Sequence, residues 1–158
     1  YGVSLNERSW WDNARAFALI NMACADAYIA AWQLKKKFNH WRPVHAIRNA
    51  SANADPAWEP LLNTPAHPDY PSGHGICSGA SALAIQQLYK VEEVTFSATF
   101  GGPNGVTRTW KSITQAEKEV EGARIWGGIH FRNSLEVGEA MGRKISDHLV
   151  ANYMKPMR

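Results

Sequence analysis

The most constraining feature of this sequence is a long run of apolar residues with helical spacing, from Asp12 to about Lys36. The positions that define it are Ala14, Phe17, Ala18, Cys24, Ala25, Tyr28, Ile29 and Trp32. Residues that recur every three or four positions share one face of an α-helix, and so broad an apolar face is typically buried. The run therefore predicts a core helix with one broad buried face, and Pro43 is expected to end it.

The same run is also the nearest approach to a membrane span, from Ala16 to Leu34. It contains Asn21 and Asp26, and an Asp in mid-span costs roughly 2.5–3.5 kcal/mol on insertion scales. We therefore expect a buried helix and no membrane span. The sequence begins at Tyr1 without a signal-like segment, which predicts a mature chain or the C-terminal part of a longer protein.

Length and charge restrict the classes of function. The 158 residues suit a single domain, residues 1–158, and 45% apolar content excludes a disordered chain. A formal net charge of +3 is too small for a nucleic-acid binder and is compatible with an anionic substrate. Cys24 and Cys77 lie among small apolar residues and are expected to be buried free thiols, with a single disulfide as the alternative.

A long loop and a second helix are predicted in the middle of the chain. Residues 49–70 are rich in Asn, Asp and Pro, and a loop of this length in a small domain is usually functional. A helical pattern follows over about 75–89, and Ser72 is placed to be its N-cap.

Two more helices are expected toward the C-terminus. Thr114-Gln-Ala-Glu117 is a capping-box pattern that predicts a helix as far as Trp126, where Gly127-Gly128 breaks it. A turn is expected at 101–105, a fourth helix over about 135–154, and strands nowhere. The predicted fold class is all-α, a bundle of about four helices with long ordered loops.

Two local patterns share the chemistry of holding a tetrahedral oxyanion. Lys35 and Arg42 lie seven residues apart, and Pro43 lets both cations reach one space from different backbone. Ser72 and Gly73 stand at a helix start, where free amides, a hydroxyl and the positive end of the helix dipole favour an anion.

A third pattern places Arg124 six residues before His130. In an unbroken helix that step leaves the two side chains roughly 120° apart, so convergence requires the Gly127-Gly128 break. Each pattern alone has a structural explanation, such as a solvated lysine, a plain helix cap or a core histidine. That structural interpretation is kept for the remaining histidines, which are His40, His45 and His148.

Taken together, the patterns resemble a known three-part motif. Lys35-x6-Arg42-Pro43, Pro71-Ser72-Gly73-His74 and Arg124-x5-His130 are similar to that of the vanadium-dependent haloperoxidases and the type 2 phosphatidic acid phosphatases. The phrases at 41–50, 67–74 and 124–132 resemble the soluble haloperoxidase-like branch. The resemblance covers nearly the whole chain but only the C-terminal portion of those proteins, and it implies a haloperoxidase/acid-phosphatase-like helical core.

The resemblance also implies roles for the motif residues. Lys35, Arg42 and Arg124 would offset the charge on vanadate or phosphate oxygens, and Arg can bind two oxygens at once. Ser72 and the Gly73 amide would add hydrogen bonds.

Two histidines of the motifs would carry the chemistry. His130 would be the vanadium ligand in a haloperoxidase, or the nucleophile that forms a phosphohistidine in a phosphatase, and His74 would be a general acid/base. His67 stands where similar bromide-oxidising enzymes carry an extra histidine, and a plain loop histidine is the equal alternative. Ser134 departs from the pattern, because the phosphatases have Asp there to orient the ring, so the His130 ring would lose its carboxylate partner.

Three functions are compatible with these motifs. The leading hypothesis is a vanadium-dependent haloperoxidase-like enzyme that oxidises halide with hydrogen peroxide at a histidine-bound vanadate. The alternative is a metal-free acid phosphatase that acts on a phosphate ester through a phosphohistidine. The third is a catalytically silent fragment with a storage, binding or assembly role, forming a homo-oligomer or joining an N-terminal partner chain. By resemblance alone, an extracytoplasmic or secreted location is favoured.

Overall fold

The computed structural model describes residues 9–50, 52–101 and 105–155. Its elements are α1 (Trp10–Phe38), α2 (Pro43–Asn49), α3 (Gly73–Tyr89), β1 (Glu93–Phe100), β2 (Val106–Ser112), α4 (Ile113–Trp126) and α5 (Arg132–Asn152). The four long helices match the four that the sequence predicts, and a long loop joins α2 to α3. The all-α bundle is confirmed, with one small hairpin added to it.

The core lies where α1, α3 and α5 meet through small side chains. Its buried members are Ala23, Ala27 and Ala31 of α1, Ile76 and Ala80 of α3, and Leu149 of α5. The α3–α5 contact is close enough to require glycine, because a Cβ on Gly142 would lie 1.9 Å from the carbonyl oxygen of Ile76. Close backbone approach therefore holds this bundle together more than large interlocking side chains do.

The face of α1 that its apolar spacing predicts to be buried is largely exposed. Phe17, Ile29 and Trp32 are each more than half exposed, whereas the buried residues follow an alanine stripe. That stripe consists of Ala16, Leu19, Ala23, Ala27, Ala31 and Lys35. The prediction of the helix is confirmed and that of its buried face is wrong, because alanines let α3 and α5 approach where bulky side chains would not.

The end of α1 also differs from expectation. The helix ends at Phe38, where Asn39 adopts the left-handed conformation (φ 44°) and its N–H bonds the Lys35 carbonyl. Pro43 does not end this helix but is the first residue of α2, a position where its missing N–H costs no hydrogen bond.

A β-hairpin stands where no strand was predicted. β1 and β2 pair antiparallel, with Phe96 opposite Trp110 and the two rings stacked at 5.2 Å. The indole of Trp110 donates to Glu119 at 2.9 Å, which fastens the hairpin to α4. Of the expected turn at 101–105, residues 102–104 lie outside the described part of the chain.

The cap of α4 is two residues earlier than predicted. Ser112 is the N-cap, since its hydroxyl accepts a hydrogen bond from the Gln115 N–H at 3.0 Å. Thr114 and Glu117 therefore lie inside the helix. Glu117 is instead buried and paired with Arg143 of α5 at 2.7 Å.

The segment Trp10–Asn49 is long and apolar enough to cross a membrane, but the core helices of soluble proteins also meet this criterion. Only 22% of its most apolar window is buried, because the large apolar side chains of α1 are exposed. Trp10 and Trp11, at the start of the helix, are 91% and 85% exposed. An apolar face of this extent favours association with another protein surface.

We expect the isolated chain to self-associate through this face, because association removes its apolar side chains from water. Sedimentation velocity should show species larger than the monomer, and the change Trp32→Glu should shift the distribution toward monomer. A monodisperse monomer that binds no hydrophobic dye would contradict this.

A buried acidic cluster makes the stability of the bundle pH-dependent. Burial, and then a hydrogen bond with Glu139, raises the pKa of Glu121 from 4.5 to about 7. Between pH 4.5 and about pH 7, Glu121 keeps its proton in the folded chain and has lost it in the unfolded chain. The contribution of Glu121 to the free energy of unfolding therefore falls as the pH rises through this range. Lys118 and Arg143 offset only two of the three charges of Glu117, Glu121 and Glu139.

Replacing Glu121 with Gln should therefore stabilise the chain at pH 8 by on the order of 1–3 kcal/mol, since Gln mimics the protonated acid. At pH 5 the change should have little effect. Urea unfolding at both pH values measures it, with the exposed Glu136→Gln as the matched control. Equal effects of Glu121→Gln at pH 5 and pH 8 would refute the linkage.

Candidate active site

Lys35 is a buried residue of the site and not a solvated surface lysine. It is 1% exposed at the end of the alanine stripe of α1, and its ammonium donates to the carbonyls of Pro68 (2.7 Å) and Asp69 (2.9 Å). Burial, with the nearby Arg42 charge, lowers the pKa of Lys35 to about 8. An anion beside it would favour the charged ammonium.

Arg42 is equally buried, at 2% exposure, and precedes α2. Its Nε donates to the His67 carbonyl at 3.0 Å, and one terminal nitrogen donates to the Ile129 carbonyl at 2.7 Å. The same nitrogen lies 3.0 Å from Nε2 of His130. Burial lowers the pKa of Arg42, which reflects the cost of holding its positive charge in a desolvated site.

His130 is held between this arginine and a buried carboxylate. Its Nδ1 lies 2.6 Å from Oδ1 of Asp69, and its ring is almost fully buried. A guanidinium only donates, so Nε2 must accept from Arg42 and the ring proton must sit on Nδ1, donated to Asp69. Burial lowers the pKa of His130, which keeps the ring neutral with its lone pair on Nε2.

Asp69 is the functional residue that sequence reasoning missed. It lies three residues before Ser72 in the Pro-rich loop, 1% exposed, and 61 residues from His130 in the chain. The expectation that the His130 ring lacks a carboxylate partner is therefore wrong. Ser134 has a different task, because its hydroxyl donates to the Asp69 carbonyl at 2.9 Å and steadies the loop.

Ser72 serves as the N-cap of α3, as predicted. It is fully buried, its hydroxyl accepts from the Gly75 N–H at 3.2 Å, and its own N–H donates to the Ser134 carbonyl. Its backbone donor is therefore already used, and its fully buried side chain does not reach the cavity surface. The adjacent Gly73 reaches the cavity wall.

Arg124 of α4 and His74 of α3 both line the site. The Nε of Arg124 is buried and, within the described residues, has no hydrogen-bond partner. Burial, with the Arg124 charge, lowers the pKa of His74, so this more exposed ring is neutral at pH 7. An unpartnered guanidinium N–H beside a neutral imidazole suits a ligand that accepts hydrogen bonds.

These side chains line one cavity of about 180 Å³. Its walls comprise Tyr28, Ala31, Trp32, Lys35, Pro65, His67, Gly73, His74, Arg124, Ile129 and His130. Among the described residues, the three cations of the site stand against the one carboxylate of Asp69, so a tetrahedral oxyanion fits the charge and the donors of the site. Arg42 and Ser72 lie behind the walls, and Arg42 reaches the site through its contact with His130.

His67 is part of this cavity wall. Its Nδ1 lies 3.0 Å from a terminal nitrogen of Arg42, which only donates, and 3.2 Å from the Pro68 carbonyl oxygen, which only accepts. The ring packs edge-on against Trp32 at a centroid distance of 4.9 Å. His67 therefore brings an imidazole and an aromatic neighbour to the cavity wall.

This chain is similar in sequence and in fold to known vanadium-dependent haloperoxidases. A family profile described as the VCPO second helical-bundle domain matches residues 15–158. The vanadium chloroperoxidase of Curvularia inaequalis is 35% identical over an alignment covering 63% of this chain and 16% of that protein. The first bacterial vanadium-dependent iodoperoxidase structure superimposes with a TM-score of 0.81 at 33% identity, covering 89% of this chain and 33% of that one.

A holo-type bacterial vanadium-dependent chloroperoxidase has the same fold, with a TM-score of 0.73 at 22% identity. It is matched over 83% of this chain and 34% of its own length. The chain thus spans about a third of each of these two solved structures and a smaller share of the curated relative. Because the family profile covers all but the first 14 residues, this chain belongs to the family of VCPO second helical-bundle domains.

Proposed function

We propose that this chain forms the vanadate site of a vanadium-dependent haloperoxidase that oxidises halide with hydrogen peroxide. The observation that supports the proposal is the protonation state and orientation of the His130 ring. Asp69 accepts a hydrogen bond from Nδ1–H, so the ring lone pair lies on Nε2, where it accepts from Arg42 within a cluster of buried cations and would serve as a metal ligand. A carboxylate that orients a histidine through its other nitrogen is the usual support of a metal-bound imidazole.

The described residues would divide the binding of vanadate among them. His130 would provide the nitrogen ligand, while Lys35 and Arg124 would donate to the oxygens from the cavity wall. Arg42 now donates to Nε2, and we infer that an oxyanion bound there would receive its N–H instead. When bound, vanadate supplies a Lewis acid that activates hydrogen peroxide.

Two histidines of the wall would serve the substrates. His74 is neutral and beside Arg124, so its ring can accept a proton from hydrogen peroxide as it enters and return it later. His67 would present its imidazole toward a halide, beside the Trp32 ring. Both roles need only proton transfer and positioning, and both rings line the cavity.

A metal-free acid phosphatase is the second candidate, and the Asp69–His130 pair favours it as well. A neutral imidazole oriented by a carboxylate is a competent nucleophile toward phosphorus. The same cations would stabilise the trigonal bipyramidal transition state of phosphoryl transfer, whose shape vanadate shares. Catalysis distinguishes the two candidates.

Orthovanadate should bind this chain, and His130→Ala should abolish the binding. Asp69→Asn should weaken it by roughly 10–100-fold, since an orienting partner of a ligand histidine is worth about that much. Isothermal titration calorimetry measures each affinity, and Glu59→Gln, which removes an exposed surface carboxylate, is the control. Wild-type protein that binds no vanadate would overturn the proposal and favour a silent storage, binding or assembly role.

Given binding, two assays separate the candidates. Bromination of a dye with vanadate, peroxide and bromide supports the haloperoxidase. Hydrolysis of a phenyl phosphate ester that vanadate inhibits supports the phosphatase instead.

His67→Ala should lower bromide oxidation at least several-fold while leaving vanadate affinity within about twofold, because the ring contacts Arg42 and the cavity but is not a proposed ligand. The dye assay gives the rate, and calorimetry gives the affinity. A parallel loss of both would mean that His67 only supports Arg42.

A further inference from the structure

The two cysteines of the chain meet across the interface between α1 and α3. Cys24 of α1 and Cys77 of α3 are both free, and the two thiols lie close enough to interact electrostatically. Both are only partly buried, so a small solute can reach them. The sequence alone leaves open whether these residues pair, and the fold brings them together from 53 positions apart in the chain.

Neighbouring residues hold the pair in place. The thiol of Cys24 lies 3.0 Å from the Ser81 hydroxyl, which donates to the Cys77 carbonyl at 2.8 Å. On either side, Ala23 and Ala27 of α1 pack into the same core as Ile76 of α3. Small side chains thus set α1 and α3 at a separation that brings the Cys24 thiol beside the turn of α3 that carries Cys77.

We propose that Cys24 and Cys77 form a reversible oxidation site, at which hydrogen peroxide converts the two thiols into a disulfide that joins α1 to α3. The proposal goes beyond the proposed function and does not depend on bound vanadate.

The chemistry balances with peroxide as the sole oxidant. The Cys24 thiolate attacks one peroxide oxygen, the O–O bond breaks, and the departing hydroxide takes up a proton to leave as water, giving a sulfenic acid. The Cys77 sulfur then attacks the Cys24 sulfur, the S–S bond forms, and the hydroxyl leaves as water with the Cys77 proton. Two thiols lose two electrons in total, and one peroxide becomes two waters.

The surroundings assign the two roles. A hydrogen bond from Cys77 lowers the pKa of Cys24 to about 6, so Cys24 is the thiolate that attacks peroxide. The same contact raises the pKa of Cys77, which keeps that thiol protonated until the sulfenic acid forms.

The pair is also connected to the active-site cavity. Tyr28 lines that cavity and is hydrogen-bonded to Cys77, with its hydroxyl as the donor. A disulfide sulfur is a weaker acceptor than a thiol or thiolate, so oxidation loosens the tyrosine in the cavity wall. Peroxide would thereby modify the wall of the cavity.

Thiol counting on the full 158-residue chain without vanadate tests the proposal. After peroxide treatment, denatured protein should fall from two reactive thiols to none per chain, and dithiothreitol should restore both. Its mass should fall by two hydrogen atoms, and it should remain a single chain on a non-reducing gel. Persistence of both thiols, a dimer joined through sulfur, or oxidation to sulfonic acids alone would overturn the proposal.

Two matched variants test the assignment of roles. Cys77→Ser should stop at a sulfenic acid on Cys24, which dimedone traps. Cys24→Ser should react with peroxide roughly tenfold more slowly, because its remaining thiol is protonated at pH 7. Equal rates in the two variants would overturn the assignment, while the wild-type thiol count tests the disulfide without either variant.

Discussion

The buried carboxylate of Asp69 is the contact on which the candidate site depends. Its Oδ1 lies 2.6 Å from Nδ1 of His130, and its backbone carbonyl accepts from both Lys35 and Ser134. One loop residue therefore connects α1, the segment after α4 and the start of α5. Because it accepts the hydrogen bond from Nδ1–H, it also fixes the lone pair of the His130 ring on Nε2, which accepts from Arg42.

The excess of positive charge in the candidate site favours an anionic ligand. Lys35 and Arg42 are almost fully buried and Arg124 is partly buried, yet one carboxylate is their buried counter-charge among the described residues. Burying cations without compensation is costly, and the lowered pKa values of Lys35 and Arg42 record that cost. A bound oxyanion would offset that cost, so the buried cations favour anion binding.

Local sequence patterns predicted where the helices lie better than they predicted which faces of those helices are buried. The spacing in α1 and the cap at Ser72 were sufficient for two helices, since both depend on neighbours within a few residues. The buried face of α1 could not be inferred the same way, because its bulky residues and its alanines are both apolar. The hairpin was missed although Phe96 and Trp110 lie in alternating segments, because its stability comes from packing on α4.

The sequence by itself determined which side chains make up the candidate oxyanion site, because Lys35, Arg42, Arg124 and His130 stand at distinctive spacings beside Pro43 and the Gly127-Gly128 break. Only the tertiary structure decided how they are supported. Asp69 and His130 are 61 residues apart in the chain and are hydrogen-bonded in the fold. Cys24 and Cys77 likewise come together only across the α1–α3 interface. Such pairs leave no periodic pattern in the chain, since their distances depend on how closely small side chains let whole helices pack.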